Sequence, residues 1–297
     1  VDAGATALDN YDGDITSDIV ATSTVNTAVA GTYTVKYNVK DASNNAAATV
    51  TRTVKVVAAP APTITLLGSS TVTINVFDTY IDAGATATDS IDGDITSKIV
   101  TTGLVNTSVV GTHYLAYNVT NSMGGTAAPK TRTVNVVDKI KPVIAMLGGS
   151  TVTINVFDTY TDAGATAWDN YDGNVTANIV ATGSVNTNII GTYYIAYAVK
   201  DSSNNMATAK RTIKVVDKVK PVITMLGATP VTLHVGQAYI DAGATALDNY
   251  DGDITDKIVA TSTVNTAVVG TYTVKYSVKD ASNNAATTLT RTVKVIL

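Results

Sequence analysis

The sequence predicts an all-β protein, a tandem array of four small antiparallel β-sandwiches. Three observations carry this. The stretch Asp241-Ala-Gly-Ala-Thr-Ala-Leu-Asp-Asn-Tyr-Asp-Gly-Asp-Ile-Thr255 recurs at Asp2–Thr16, Asp82–Thr96 and Asp162–Thr176, at spacings of 80, 80 and 79 residues. A fixed period of that size marks a repeated small domain. Within each period, apolar and polar residues alternate in short runs between Gly, Asn and Asp turns, as half-buried strands do. Composition agrees. All 24 acidic residues are Asp, Gln237 is the single Gln, and Thr, Val, Ile and Tyr abound, so strand formers outnumber strong helix formers.

The period divides the chain into repeat 1 (1–59), repeat 2 (60–139), repeat 3 (140–218) and repeat 4 (219–297). Repeat 2 shows the expected element order. Pro62–Leu67 opens it, and Gly68-Ser-Ser70 breaks the run. Thr71–Val76 alternates, with Val72, Ile74 and Val76 on one face. Tyr80–Thr88 is the next expected strand, followed by the acidic turn Asp89–Thr96. Ile99-Val100, a short Val105–Thr107, and the strongly alternating Gly111–Val119 come after it. The polar turn Asn121–Gly125 precedes Thr131–Val137. About seven short strands without a helical pattern read as a sandwich.

Repeat 1 has no counterpart of residues 62–81. Its sandwich is therefore expected to expose a sheet edge and an apolar groove. Preceding sequence would cover them, or a strand from a neighbouring copy, which would make a strand-complemented homopolymer. Repeats 1 and 4 agree at 49 of 56 positions (2–57 against 241–296), as expected of an excerpt from a longer array.

The order Pro-x-Ile-x-Leu-Leu-Gly, Tyr-x-Asp-Ala-Gly-Ala-Thr-Ala, Asp-Gly-Asp-Ile-Thr and Gly-Thr-Tyr-x-Val-x-Tyr-x-Val-x-Asp resembles the bacterial surface Ig-like repeat. That repeat occurs in tandem in large secreted and cell-wall adhesins and in some pesticidal crystal proteins. The resemblance covers all four repeats. It implies an Ig-like sandwich in an extracellular or cell-surface setting, serving as spacer, stalk, fibre or adhesive segment. It implies no single activity.

The acidic loop is the candidate site. Asp248, Asp251 and Asp253 bracket a Gly that allows a sharp turn, and short carboxylates at this spacing can converge on a hard cation such as Ca²⁺. The same residues also suit an Asp-Gly turn that bonds its own backbone. The strand order brings the turn before the last strand, and the preceding linker, to the same pole. Asp138 is then expected to approach Asp169, Asp172, Asn174 and Asp201, and Asp217 to approach Asp248, Asp251, Asp253 and Asp280. The linkers Val137-Asp-Lys-Ile-Lys-Pro142 and Val216-Asp-Lys-Val-Lys-Pro221 are short, so successive domains are expected end to end. Clustered carboxylates repel without a cation. Before repeat 2 the linker reads Ala58-Ala-Pro-Ala-Pro62 and the facing turn begins with Asn121, so two acids are lost together. Asp89, Asp92 and Asp94 there, and Asp9, Asp12, Asp14 and Asp41 in repeat 1, are correspondingly weaker candidates.

Other functions find little support. The net charge is −4 with scattered Lys and Arg, which disfavours a nucleic-acid partner, and no apolar run approaches a membrane helix. No cysteine or nucleophile–base constellation is present, and His113 and His234 are lone variants in strands. The expectation is a non-enzymatic array whose partners are flanking repeats or neighbouring copies. The alternative is a carbohydrate-binding or accessory module array of a secreted enzyme or toxin, with Trp168 as its one aromatic pointer to a surface glycan; packing is the other reading of Trp168.

Overall fold

The computed structural model describes all 297 residues. Apart from one 3₁₀ turn per repeat, every regular element is a strand. By packing, the chain falls into two compact units, Val1–Asp138 and Lys139–Leu297, each holding two repeats.

Repeat 4 shows the complete module. One sheet holds Val222–Met225, Ala244–Asp248 and Gly252–Asp253, all antiparallel. The other runs in the order Val231–His234, Leu289–Ile296, Gly270–Ser277, Val259–Ser262. Inward positions alternate as the sequence requires: Val274 and Tyr276 are buried while Lys275 between them is exposed. They meet Ile223, Ala244 and Ala246 from the facing sheet, and Ile254 just after it, to form one core.

One pairing departs from the antiparallel expectation. Val231–His234 runs parallel to the final strand, with Val231 opposite Val293 and Leu233 opposite Val295. The opening segment crosses from one sheet to the other without reversing, so it travels the same way as the last strand. Gly227 makes the crossing possible: its φ is +74°, and a Cβ there would lie 3.0 Å from that of Ala242. The same parallel pairing recurs in repeats 2 and 3.

Two expected strands differ in repeat 2. The ladder starts at Ala85, not Tyr80, because the Tyr80 hydroxyl and the Gly84 N–H both donate to the Asp82 carboxylate and turn this segment inward. Val105–Thr107 forms no strand. The Asn106 side chain accepts the Ser108 N–H, an Asx turn that takes the backbone out of the ladder.

Each final strand carries an inward-facing arginine. Arg132, Arg211 and Arg291 are 1% exposed, and each pairs with the Asp that opens the repeated motif: Asp82, Asp162 and Asp241. In repeat 4 the guanidinium also donates to the Leu226 and Gly243 carbonyls. The hydroxyls of Tyr239 and Tyr276 donate to Asp241. Burial works to raise this carboxyl, but the Tyr276, Tyr239 and Gly243 hydrogen bonds and the Arg291 charge outweigh it and hold it below the usual range. Burial and the same kind of carboxylate partner push Tyr197 up to about 12.

In repeat 1 the second sheet has only Val20–Ser23, Gly31–Asn38 and Val50–Val56. Val54 is half-buried where Val134, Ile213 and Val293 are fully buried, and the Arg52 side chain is 41% exposed. A groove of about 430 Å³, lined by Ala7, Ile15, Tyr37, Val39 and Ala47 among others, lies open in this chain.

Candidate metal centre

The repeated acidic motif gives each residue a separate task. In repeat 4, Asp248 Oδ1 accepts the N–H groups of Tyr250 and Asp251, at 2.8 and 3.0 Å. Gly252 takes a left-handed φ of +72° and turns the chain back. Asp253 Oδ1 accepts the Thr255 N–H at 3.0 Å and so starts the 3₁₀ turn Thr255–Lys257. Ile254 enters the core, and Thr255 Oγ1 accepts the Ala246 N–H at 3.0 Å. Asp251 Oδ2 reaches across to the Ala281 N–H at 2.6 Å, which ties this loop to the turn before the last strand.

Those bonds leave one oxygen of Asp248 unused. Asp217, Asp248 and Asp280 are 5%, 4% and 6% exposed, and each contributes a carboxylate oxygen to a group spanning no more than 4.8 Å. Asp217 Oδ1 accepts the Val219 N–H, and both Asp280 oxygens accept from Asn284. Asp217 Oδ2 and Asp248 Oδ2 are buried with no hydrogen-bond partner. None of the three carboxylates forms an ion pair with Lys or Arg. Burial raises the Asp217 carboxyl against the pull of the Val219 N–H, and the charges of Asp248, Asp280 and Asp251 push it the same way. Buried carboxylates crowded together in this way need a counter-charge.

Calcium fits the donor set. It takes oxygen ligands at about 2.3–2.6 Å, so two oxygens on opposite sides of one ion are about 4.6–5.2 Å apart. A group of three carboxylate oxygens within 4.8 Å can therefore share a single ion. Asp251 stands beside this group, near enough for its charge to act on Asp217. Asp253 does not join it: its carboxylate is exposed and caps the following turn.

The other candidates follow the same local pattern. In repeat 3, Asp169 Oδ1 accepts the Tyr171 and Asp172 N–H groups, and Asp172 binds the Ser202 N–H and hydroxyl. Asn174 caps Thr176, and Asp201 accepts from Asn205. Asp138 ends the first unit. In repeat 1, Asp9, Asp12, Asp14 and Asp41 make the corresponding turn bonds; Asp12 and Asp14 are exposed, and Asp9 and Asp41 are half-buried.

Repeat 2 solves the same position differently. Asp89 Oδ1 accepts the Ile91 and Asp92 N–H groups, as Asp248 does in its loop. Its Oδ2, however, accepts the side-chain amide of Asn121 at 3.0 Å, and that amide also donates to the Pro60 carbonyl at 2.8 Å. Asp92 is satisfied by the Ser122 N–H and hydroxyl and by Lys98, and Asp94 caps Thr96.

The loop of repeat 4 also meets its neighbour within the second unit. The Tyr250 ring lies 6.1 Å from that of Phe157 in repeat 3, tilted by 48°. Trp168 is 64% exposed and lies opposite Val143 on the outer face of its sheet, which favours the surface over the packing reading. Neither histidine belongs to a constellation: His113 Nε2 contacts the Val109 carbonyl where Tyr33, Tyr193 and Tyr272 place a hydroxyl on the carbonyl four residues back.

Sheet-switching opening strands, a buried Arg on the last strand and an acidic loop at the leading pole, the end of the module that the preceding linker enters, define a class of tandem Ig-like module. The chain belongs to the family described as bacterial surface protein, Ig-like domain, which matches residues 1–56, 64–136, 144–215 and 223–295. It is 36% identical over 218 residues to an uncharacterized 81.3 kDa protein of Acholeplasma phage L2, covering 67% of this chain and 28% of that protein. It is 30% identical over 295 residues to the pesticidal crystal protein Cry22Aa of Bacillus thuringiensis, covering 92% of this chain and 38% of that protein. The chain thus spans well under half of either relative. Among solved structures, a ZmpB fragment of Clostridium perfringens with its M60 and CBM51 domains aligns over 96% of this chain and 35% of that one, at 17% identity and a TM-score of 0.23. The lipoprotein BT2262 of Bacteroides thetaiotaomicron aligns over 78% and 98%, at 13% identity and a TM-score of 0.26. Protocadherin gammaB7 EC3-6 aligns over 98% and 90%, at 12% identity and a TM-score of 0.35.

Proposed function

We propose that the chain is a non-enzymatic segment of an extracellular surface array, a stalk or adhesive spacer stiffened by calcium at the poles where repeats meet. The observation that carries this reading is the buried group Asp217, Asp248 and Asp280, with two carboxylate oxygens unpartnered. Asp217 lies in the linker that enters repeat 4, Asp248 in the acidic loop, and Asp280 in the turn before the last strand. One ion bound to all three ties the linker to two loops of the following domain. The loop it fixes also presents Tyr250 to Phe157 of the preceding repeat, so the ion limits bending between repeats 3 and 4. Family membership supports the surface setting.

The absence of cysteine makes a direct test simple. Ser184 and Ser262 are exposed, one on each of repeats 3 and 4. Spin labels on Ser184→Cys and Ser262→Cys report the distance distribution between the two repeats. A narrow distribution with Ca²⁺ that broadens on chelation is expected. Superimposable distributions would refute the clamp.

A second reading, an accessory module that takes a glycan, is favoured by the exposed indole of Trp168, an aromatic side chain of the kind that stacks on a sugar ring.

A further inference from the structure

The three complete repeats have the same strand order, yet repeats 2 and 4 close the leading pole with different groups. Asp89 and Asp248 occupy equivalent places, and their Oδ1 atoms accept equivalent pairs of backbone N–H groups. Only the Oδ2 atoms differ. That of Asp248 is buried without a partner, whereas that of Asp89 accepts the Asn121 amide.

The change at Asn121 is accompanied by others that make it work. Ala58 replaces the linker acid Asp217, and Asn121 replaces Asp280, so two of the three buried carboxylates are gone. Pro60 replaces Val219 and has no N–H to give, so the Val219–Asp217 bond has no equivalent; its carbonyl instead accepts the Asn121 amide. Gly125 replaces Asn284. A Cβ at Gly125 would lie 2.5 Å from the Pro60 carbonyl and 2.9 Å from the Asn121 amide nitrogen, so only glycine leaves room for both. Asn121 Oδ1 then accepts the Gly125 and Met123 N–H groups. Four positions, spread over two elements, change toward one result. A neutral amide donates two hydrogens between a carboxylate and a carbonyl, Asp89 is the one buried carboxylate left, and Asp92 beside it is paired with Lys98.

We infer that the pole of repeat 2 is locked without a cation, the Asn121 amide standing where an ion stands in repeat 4. The array then mixes constitutive and calcium-dependent poles, and falling calcium releases the pole of repeat 4 while that of repeat 2 holds. This rests on the calcium reading of Asp217, Asp248 and Asp280.

Hydrogen exchange on the unaltered chain tests it, with and without Ca²⁺. Where exchange requires the pole to open, binding slows it by about 1 + [Ca²⁺]/Kd, about a hundredfold at 100 times Kd. Protection is expected in peptides covering residues 244–254 and 278–286 but not in those covering 85–95 and 119–127. Equal gains in both sets overturn the inference and leave the calcium reading standing. No gain in either set overturns both.

A transplant provides a second measurement by gain of a site. The full chain carrying Ala58→Asp, Ala59→Lys, Pro60→Val, Ala61→Lys, Asn121→Asp and Gly125→Asn should bind one more equivalent of Ca²⁺ by calorimetric titration than the unaltered chain. A folded transplant with no added equivalent overturns the inference. Should the transplant not fold, the reciprocal chain, Asp217→Ala with Val219→Pro, Asp280→Asn and Asn284→Gly, should lose one equivalent while keeping its chelated-state protection at residues 244–254. Loss of that protection overturns the inference, because the amide would then have failed to replace the ion.

Discussion

Replacing Arg291 by methionine tests whether the buried arginine holds the module together. The side chain is 1% exposed, and its guanidinium donates to the Asp241 carboxylate and to the carbonyls of Leu226 and Gly243. Methionine keeps much of the aliphatic volume, so the loss is mainly electrostatic. Asp241 retains the hydroxyls of Tyr239 and Tyr276 but faces no cation, and the Leu226 carbonyl loses its donor. The Asp241 side chain is 28% exposed, so removing its partner costs about 3 kcal/mol, the low end of what a fully buried pair loses. At roughly 4–8 °C per kcal/mol for a domain of this size, repeat 4 should melt about 12 °C lower or more. Repeat 1 supplies the control. Arg52 and Asp2 form the same pair with side chains 41% and 36% exposed, where solvent screens an ion pair and leaves it little to contribute. Hydrogen exchange resolved along the chain gives both costs, with repeat 3 peptides as the internal reference. Equal costs for Arg291→Met and Arg52→Met, or a cost below about 1 kcal/mol for Arg291→Met, would refute the reasoning.

The same network sets the acid limit. The carboxyls of Asp82, Asp162 and Asp241 lie below their ordinary value of 3.8, since tyrosine hydrogen bonds and the arginine charge outweigh burial. Their stabilisation is therefore complete above that value and is lost as pH falls through the lower folded value. Melting temperatures of the calcium-free chain should show this loss only below about pH 4, and an onset above about pH 5 would point to other groups. Trp168→Ala should change stability by no more than about 0.5 kcal/mol, because the indole is mostly in solvent. If the glycan reading holds, the same change abolishes retention on the glycan that the unaltered chain binds in an array screen, and retained binding would exclude Trp168 as the platform.

Much of the module was legible in the sequence because strand alternation and turn residues act locally. Val274 and Tyr276 announce an inward face by their spacing, and Asp-Gly-Asp announces a turn by its chemistry. The parallel pairing of Val231–His234 was not legible, since which sheet a short edge strand joins depends on where the chain crosses, here at Gly227. The buried arginine had a local signal. Arg291 shares the strand parity of Val293 and Val295, so alternation alone places it inward, but a charge on that face invites being read as an exception. At the leading pole, the paired loss of Asp217 and Asp280 equivalents was visible as missing acids. The role of Gly125 was not, because a glycine in a polar turn has many explanations until the Pro60 carbonyl is seen beside it.

All 24 acidic residues are Asp, and in the acidic loops and the facing turns this suits what the carboxylates do. Asp248 binds N–H groups two and three residues ahead of it, Asp253 binds one two residues ahead, and Asp280 binds one four ahead. Each bond requires the carboxylate to stay close to its own backbone, and the extra methylene of glutamate would carry it past the donor. The same shortness serves an ion. An Asp oxygen held in place by its local bonds leaves the other oxygen aimed and without a rotamer to lose, so a cation meets a preformed group rather than one it must gather. In repeat 4 that second oxygen is what Asp217 and Asp248 hold out, and in repeat 2 it is what Asn121 takes. Turn chemistry and ion binding are therefore not competing readings of the acidic loop: the first fixes one oxygen of the carboxylate and thereby presents the second.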